Sequence, residues 1–271
     1  TVLSRGLGDV YKRQKIACSK GGYSVACYSF YCSLLLDNCD FDAFDKHKAK
    51  LEKAIKKDIN MSTDQNIDVF NNVVSYMNPE LNLQVARLSA KIIKDNIKRS
   101  QTKFTYSKNN SKIKIAYLSS DFGKHPVTYL INKVIELHDR DSFEVYCYSA
   151  GTDFDSSYRK KLENDSDYFF DISKEDSFSV AKQINADKID ILVDLNGYTK
   201  NHRLEVCAYR PAPIQMTYLG FIGSLGADFI DYTFVDSIVM NESQKRFYDE
   251  KLIYLPNFCL LYTSPSPRDK T

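Results

Sequence analysis

The chain has 271 residues, 43% of them hydrophobic and 27% charged, with no tryptophan and a formal net charge of +2. That length allows one large or two modest domains with real cores, and a charge this close to neutral gives no reason to expect a nucleic acid or a membrane surface as partner. No apolar run is long enough to span a bilayer, and the seven cysteines include no pair at the two-residue spacing of zinc knuckles or redox motifs.

The two ends read as foreign. Ser4 to Gln14 resembles one reading frame of a transposase sequencing adapter, and Cys259 to Asp269 resembles its reverse complement. On this reading residues 1–14 and 259–271 are adapter-derived, and Lys15 to Phe258 is a piece of a longer natural protein. Setting aside Arg5, Lys12, Arg13, Arg268 and Lys270 against Asp9 and Asp269 moves the formal charge from +2 to −1. The remaining cysteines, Cys18, Cys27, Cys32, Cys39, Cys147 and Cys207, read as buried small hydrophobes; the first four with His47 lack the ligand spacing of a zinc site.

Residues 15–98 read as all-helical. The tyrosine-rich stretch from Gly22 to Leu36 is one predicted helix. From Cys39 to Ile59 the residues Phe44, Leu51, Ala54, Ile55 and Ile59 recur at helical spacing behind the cap candidates Asp40 and Asp42. Asn78 as N-cap and Pro79 as first helical residue open a third helix with the stripe Leu81, Val85, Leu88 and Ile92. Such helices cannot bury their stripes alone and suit the end of a helical-repeat array, although no repeat period is visible. Residues 99–111 have linker composition, with only Phe104 and Tyr106 as large apolar groups.

After Lys112 the period changes. Ile113, Ile115 and Tyr117 alternate, Val127 to His138 is helical, and Phe143 to Tyr148 alternates again. A helix near Ser157 to Glu163, a strand Tyr168 to Ile172 and a helix Phe178 to Ile184 follow. Then come a nearly continuous apolar strand Ile189 to Leu195, strands Ile214 to Leu219 and Tyr232 to Val235, a polar helix around Glu242 to Asp249, and a strand Leu252 to Leu255. This alternation predicts an α/β fold with a Rossmann-like, doubly wound parallel sheet, preceded by the all-α segment.

In such sheets ligands bind beyond the carboxyl ends of the strands. Three loops there stand out: Asp121 to Pro126, Asn196 to Lys200, and Gly220 to Gly226. His125 is either a proton acceptor or sugar contact, or a helix cap. Gly220, Gly223 and Gly226 either admit a ligand close to the backbone or make a turn, since the dinucleotide-binding glycine pattern is absent. Arg203 and Arg210 suit phosphate or peptide contacts and equally salt bridges. Asp194, at a strand end, orients a loop rather than reacts.

At these same loops the sequence resembles the protein O-GlcNAc transferase family. The resemblance rests on Tyr117 to Pro126, Ile191 to Lys200, Tyr209 to Gln215, Leu219-Gly220 with Gly223 to Ala227, Asp231-Tyr232 and Tyr248 to Leu252, and more loosely on Cys39 to Asp45. It implies the two-lobed GT-B architecture, with residues 112–258 as most of the first lobe and 15–98 as the end of a tetratricopeptide-repeat (TPR-like) and linker region. It also implies transfer of N-acetylglucosamine from UDP-GlcNAc to Ser or Thr hydroxyls of intracellular proteins, in the cytoplasm with the nucleus as an additional compartment open to it, with inversion and without metal or other cofactor. The implied partners are protein acceptors and the nucleotide sugar, not nucleic acid or membrane; oligomeric state is not implied. His125 matches a family histidine that is a base or a contact near the sugar, the contact role being favoured, and Asn196, Tyr198, Thr199, Leu219, Gly220 and Gly223 match loops on the acceptor and sugar side. The groups holding the diphosphate belong to a second lobe, so this piece is expected not to catalyse alone. One departure stands out: Phe221-Ile222-Gly223-Ser224 replaces a family Tyr-Pro-Gly-Thr. Losing the proline's fixed backbone angle beside the sugar pocket opens the related SPINDLY-type O-fucosyltransferases, which use GDP-fucose, as an alternative; a helical-repeat scaffold with a decayed lobe is another.

Overall fold

The computed structural model describes residues 24–61, 67–75, 78–97, 104–106 and 111–256. Both adapter-like ends, Cys18 and most of the 99–111 linker lie outside the described residues. The chain divides into two units, Thr1–Ile92 and Ile93–Thr271.

The first unit is helical. Helix α1 (Val25–Asp37) starts on Ser24, whose hydroxyl accepts from the Cys27 N–H, and is apolar on almost every side, burying Tyr28, Tyr31, Cys32, Leu34 and Leu35. It stops because Cys39 adopts a left-handed φ of 56°, letting the Cys39 and Asp40 N–H groups donate back to Leu36 and Leu35, a Schellman motif that satisfies the last carbonyls. Cys39 is thereby exposed, contrary to the buried placement its residue type predicts; a chain reversal leaves no core for it. Cys32, Cys147 and Cys207 are buried and Cys27 is half-buried. Asp40 then caps α2 (Phe41–Met61) through the Ala43 N–H, and Asn78 caps α4 (Pro79–Ile97) through Leu81. The predicted stripes are the buried faces: Leu51 and Ile55 on α2, Leu81 and Val85 on α4. His47 accepts or donates at Tyr28 Oη over 2.6 Å. A short α3 (Val69–Ser75), with no legible period, lies between them.

The second unit carries one seven-stranded sheet in the order β3-β2-β1-β4-β5-β6-β7, parallel at every pairing. The strands are β1 (Ile113–Ser119), β2 (Phe143–Ser149), β3 (Tyr168–Asp171), β4 (Ile191–Asp194), β5 (Ile214–Thr217), β6 (Tyr232–Val235) and β7 (Lys251–Tyr254). Helices α5 (Pro126–Glu136), α6 (Ser157–Asp165), α7 (Ser177–Ala186) and α8 (Leu204–Ala208) connect the first five strands. Their starts follow from sequence: His125 with Pro126 for α5, Ser156 for α6, and Asp176 for α7, which accepts two N–H groups at 3.0 Å. The core under the sheet is built from Ile115, Tyr117, Val145, Cys147 and Val193 against Ile131, Ile135 and Leu162, consistent with strands covered by helices.

The predicted helix over Glu242 to Asp249 is absent; only a single 3-10 turn, Lys245–Phe247, forms. Here Asn241 Oδ1 accepts from the Ser243 hydroxyl and the Gln244 N–H, while Gln244 Oε1 accepts from the Asn241 N–H. These side chains offer the backbone an alternative to helix, and no apolar stripe repays ordering one.

Candidate active site

Strand order fixes where a site belongs. From β1 the chain winds outward to β2 and β3, and from β4 it winds the other way to β5, β6 and β7. The loops leaving β1 and β4 therefore diverge at the topological switch point, where a crevice opens beyond the carboxyl ends. Asn196 stands in it, 1% exposed. Its Oδ1 accepts the Ser120 N–H at 2.8 Å, and its amide group points at Ser120 Oγ (2.9 Å), Asp121 Oδ2 (2.7 Å) and Thr199 Oγ1 (3.2 Å). One buried side chain thus ties the loop after β1 to the loop after β4.

The loop after β5 closes on the same place. A Cβ on Gly220 would stand 1.8 Å from the Leu195 carbonyl oxygen, so only glycine permits that approach. Gly197 holds a φ of 56° and its Cα faces Phe221, whose Cβ would lie 2.4 Å from any added carbon. Tyr198 donates its hydroxyl to the Leu225 carbonyl at 2.9 Å and meets Phe221 edge to face. The segments around His125, Asn196 and Gly220 are in this way one rim.

Their side chains are not equally available. Asn196 and Tyr198 are buried and form the wall, Thr199, Leu219, Gly220 and Gly223 are half-buried, and His125 is exposed. His125 caps α5: its Nδ1 accepts from the Val127 N–H at 3.3 Å and lies 3.7 Å from Asp121 Oδ2. Accepting at Nδ1 leaves the proton of the neutral ring on Nε2, so the ring's second nitrogen is a hydrogen-bond donor. The cap and the contact readings of His125 are therefore compatible. Thr128 braces this loop, donating to the Asp121 carbonyl at 2.6 Å and accepting from Gly123.

Asp194 ends β4 beneath the network and is 0% exposed. Its Oδ2 accepts the Gly197 N–H at 2.6 Å, while Oδ1 has no hydrogen-bond partner. Burial pushes its carboxyl up to about 7, Asp121 adds to the rise, and the Gly197 and Asn196 N–H groups oppose it.

Two further carboxylates support the rim: Asp153 carries no local sequence signal, and Glu250 lies in the Tyr248 to Leu252 stretch without being singled out there. Asp153, in the loop after β2, accepts the Lys124 N–H at 2.8 Å and fills the space beside Gly123. Glu250, buried, accepts from Ser224 Oγ and the Leu225 N–H, both at 2.7 Å, and burial raises its carboxyl. Arg210 does not join the rim, and Arg203 ties the segment after β4 to the one after β3 instead of facing the Asn196 network. Arg210 makes a two-pronged pair with Asp231 at 3.1 Å, ahead of β6 at the opposite edge, and Arg203 donates to the Ile172 and Glu175 carbonyls. No group of three or more His, Cys, Asp or Glu among the described residues is placed to hold a metal ion.

Beyond β5, β6 and β7 the rim changes character. A hollow of about 120 Å³ is walled by Tyr218, Phe221, Gly223, Phe234, Met240 and Tyr248 among others. Ile222 beside it is 66% exposed.

Comparison with known proteins agrees with this fold. Residues 38–262 match the model of glycosyl transferase family 41. A probable UDP-N-acetylglucosamine–peptide N-acetylglucosaminyltransferase, SEC, of Arabidopsis thaliana is 35% identical over 230 residues, 81% of this chain and 23% of the relative. A Caenorhabditis elegans protein named as the same kind of transferase is 30% identical over 228 residues, 81% of this chain and 20% of the relative. Arabidopsis thaliana SPINDLY is 37% identical over 158 residues, 57% of this chain and 17% of the relative. A solved O-GlcNAc transferase variant from Thermobaculum terrenum superposes with a TM-score of 0.70 at 24% identity, over 92% of this chain and 47% of that one, which shows the shared fold. The chain spans about a quarter of the length of these curated relatives or less, and it belongs to glycosyl transferase family 41.

Proposed function

We propose that the complete protein transfers N-acetylglucosamine from UDP-GlcNAc to Ser or Thr hydroxyls of intracellular proteins, acting in the cytoplasm without a metal, with inversion at the sugar. The observation that carries this reading is the Asn196-centred network at the switch point of a family 41 lobe. Relatives named as UDP-N-acetylglucosamine–peptide N-acetylglucosaminyltransferases align along 81% of the chain, including its helical part, and SPINDLY, which carries the same transferase name, aligns along 57%. The helical unit fits the end of a TPR-like array and linker ahead of the catalytic region.

A protein hydroxyl is a weak nucleophile, so holding it in line with the anomeric carbon and neutralising the departing UDP supply most of the rate. In this reading the buried Asn196 and Tyr198 hold the loops rigid. Thr199, Leu219, Gly220 and Gly223 line the sugar and acceptor side. His125 donates from Nε2 to a sugar or phosphate oxygen, a contact rather than a base, because its Nδ1 is engaged by the helix. The diphosphate-binding groups belong to a second lobe, so residues 1–271 alone bind the donor incompletely and do not turn over.

A second reading is favoured by one observation: position 222 is an exposed isoleucine where the family pattern has proline, so GDP-fucose is the alternative donor. Competition of UDP-GlcNAc against GDP-fucose with the full-length protein and a Ser/Thr peptide decides between them. Transfer of GlcNAc supports the primary reading, transfer of fucose replaces it, and transfer of neither from a folded full-length protein leaves a non-catalytic scaffold.

A further inference from the structure

The switch-point network depends on a group that does not touch it directly. Asn196 reaches Ser120, Asp121 and Thr199 only because the chain reverses immediately after it, with Gly197 in the left-handed region and Thr199 N–H returning to the Asn196 carbonyl at 3.3 Å. Left-handed turns of this kind are held where a side chain supplies an acceptor for the turn's own N–H. Here that acceptor is Asp194 Oδ2, 2.6 Å from the Gly197 nitrogen.

Asp194 is set to act this way. Its backbone is locked by both neighbours, in register with Leu118 of β1 and Thr217 of β5. Its carbonyl accepts the Tyr218 N–H at 3.0 Å, which also anchors the start of the loop after β5. A fully buried carboxylate is costly unless it is partnered, yet one of its oxygens has no hydrogen-bond partner and the groups coupled to it, Asp121, Tyr198 and Cys207, are all acids. A residue retained only for packing has no need of a carboxyl at this position.

We propose that Asp194 is a positioning residue of the transfer reaction: by holding the Gly197 N–H it sets the turn that places Asn196 across the loops after β1 and β4, and so sets the shape of the acceptor and sugar side of the cleft. This rests on the transferase reading given above for the function, and its test separates the two. The requirement is for an oxygen acceptor, not for the charge.

The test uses the full-length protein carrying Asp194→Asn or Asp194→Ala, with kcat and KM measured for peptide glycosylation and hydrogen exchange followed over residues 195–200. The alanine variant is expected to lose at least about tenfold in kcat with little change in donor KM, and to lose exchange protection at 195–200 while β1 and β2 keep theirs. The asparagine variant, which keeps an acceptor oxygen, is expected to restore protection and to bring kcat within about threefold of wild type. Full kcat and full protection in the alanine variant would overturn the proposal, as would an asparagine variant that loses both. If the alanine variant does not fold, protection at 195–200 in the asparagine variant decides: kept supports the proposal, lost overturns it. If the wild type transfers neither sugar, the transferase reading fails while hydrogen exchange still decides whether Asp194 holds the turn.

Discussion

The two halves of the sheet's carboxyl rim differ in how densely polar bonds hold them. Beyond β1 and β4, buried polar groups bind loop to loop: Asn196, Ser120, Asp121, Thr199 and the Asp194–Gly197 bond beneath them. Beyond β5 to β7 one buried carboxylate, Glu250, ties the loop after β5, and the rest of that side is apolar contact around a hollow, with Phe221, Phe234, Met240 and Tyr248 among its walls. The difference teaches where precision resides. A hydrogen-bonded network in low dielectric specifies one arrangement and loses much when one member goes, whereas an apolar wall tolerates substitution of similar volume.

The comparison is sharpest at Asp194. Folded, its carboxyl keeps a proton up to about pH 7, against an ordinary carboxyl value of 3.8 in the unfolded chain. Between those values the folded state binds more protons at this site than the unfolded one, so the contribution of Asp194 to stability is full below pH 4 and declines as pH rises to about 7. Summed over the shift, this loss is on the order of 4 kcal/mol. Denaturation of the wild type at pH 5 and pH 8 should show the decline, and Asp194→Asn should remove it. Next in size, Asn196→Ala strips several bonds at once and is expected to cost about 3 kcal/mol by urea denaturation, with turnover of the full-length protein falling further than stability alone explains. On the apolar side, Met240→Ala should cost about 2 kcal/mol while leaving turnover near wild type. The smallest effect belongs to Ile222→Lys at an exposed position, within about 0.5 kcal/mol by thermal unfolding. An Asn196→Ala change that proves milder than Met240→Ala would erase the distinction between the two sides.

Much of this lobe is legible in the residues themselves. Alternation at Ile113, Ile115 and Tyr117, Pro126 opening a helix, and the apolar run before Asp194 each predict an element that is present, because period and capping are local properties. Helices Val69–Ser75 and Leu204–Ala208 are too short to show a period. Glu242 to Gln244 looks helical in composition but is drawn into side-chain turns. At the rim, the loops are recognisable from their position after strands, but the direction of each side chain is not. Asn196, expected on the acceptor and sugar side, also ties the loops internally, a role set by the backbone angle at Gly197. Asp153 and Glu250 support the rim from 29 and 25 residues away, a distance at which no local pattern speaks.

If this rim is half of a sugar-transfer cleft, His125 faces the substrate. Turnover of the full-length protein with UDP-GlcNAc and a Ser/Thr peptide, compared between wild type and His125→Ala, measures that directly. The expected result is a loss of at least tenfold, about 1.4 kcal/mol of barrier, in a variant whose unfolding midpoint stays close to wild type. Equal turnover in the two proteins would contradict it.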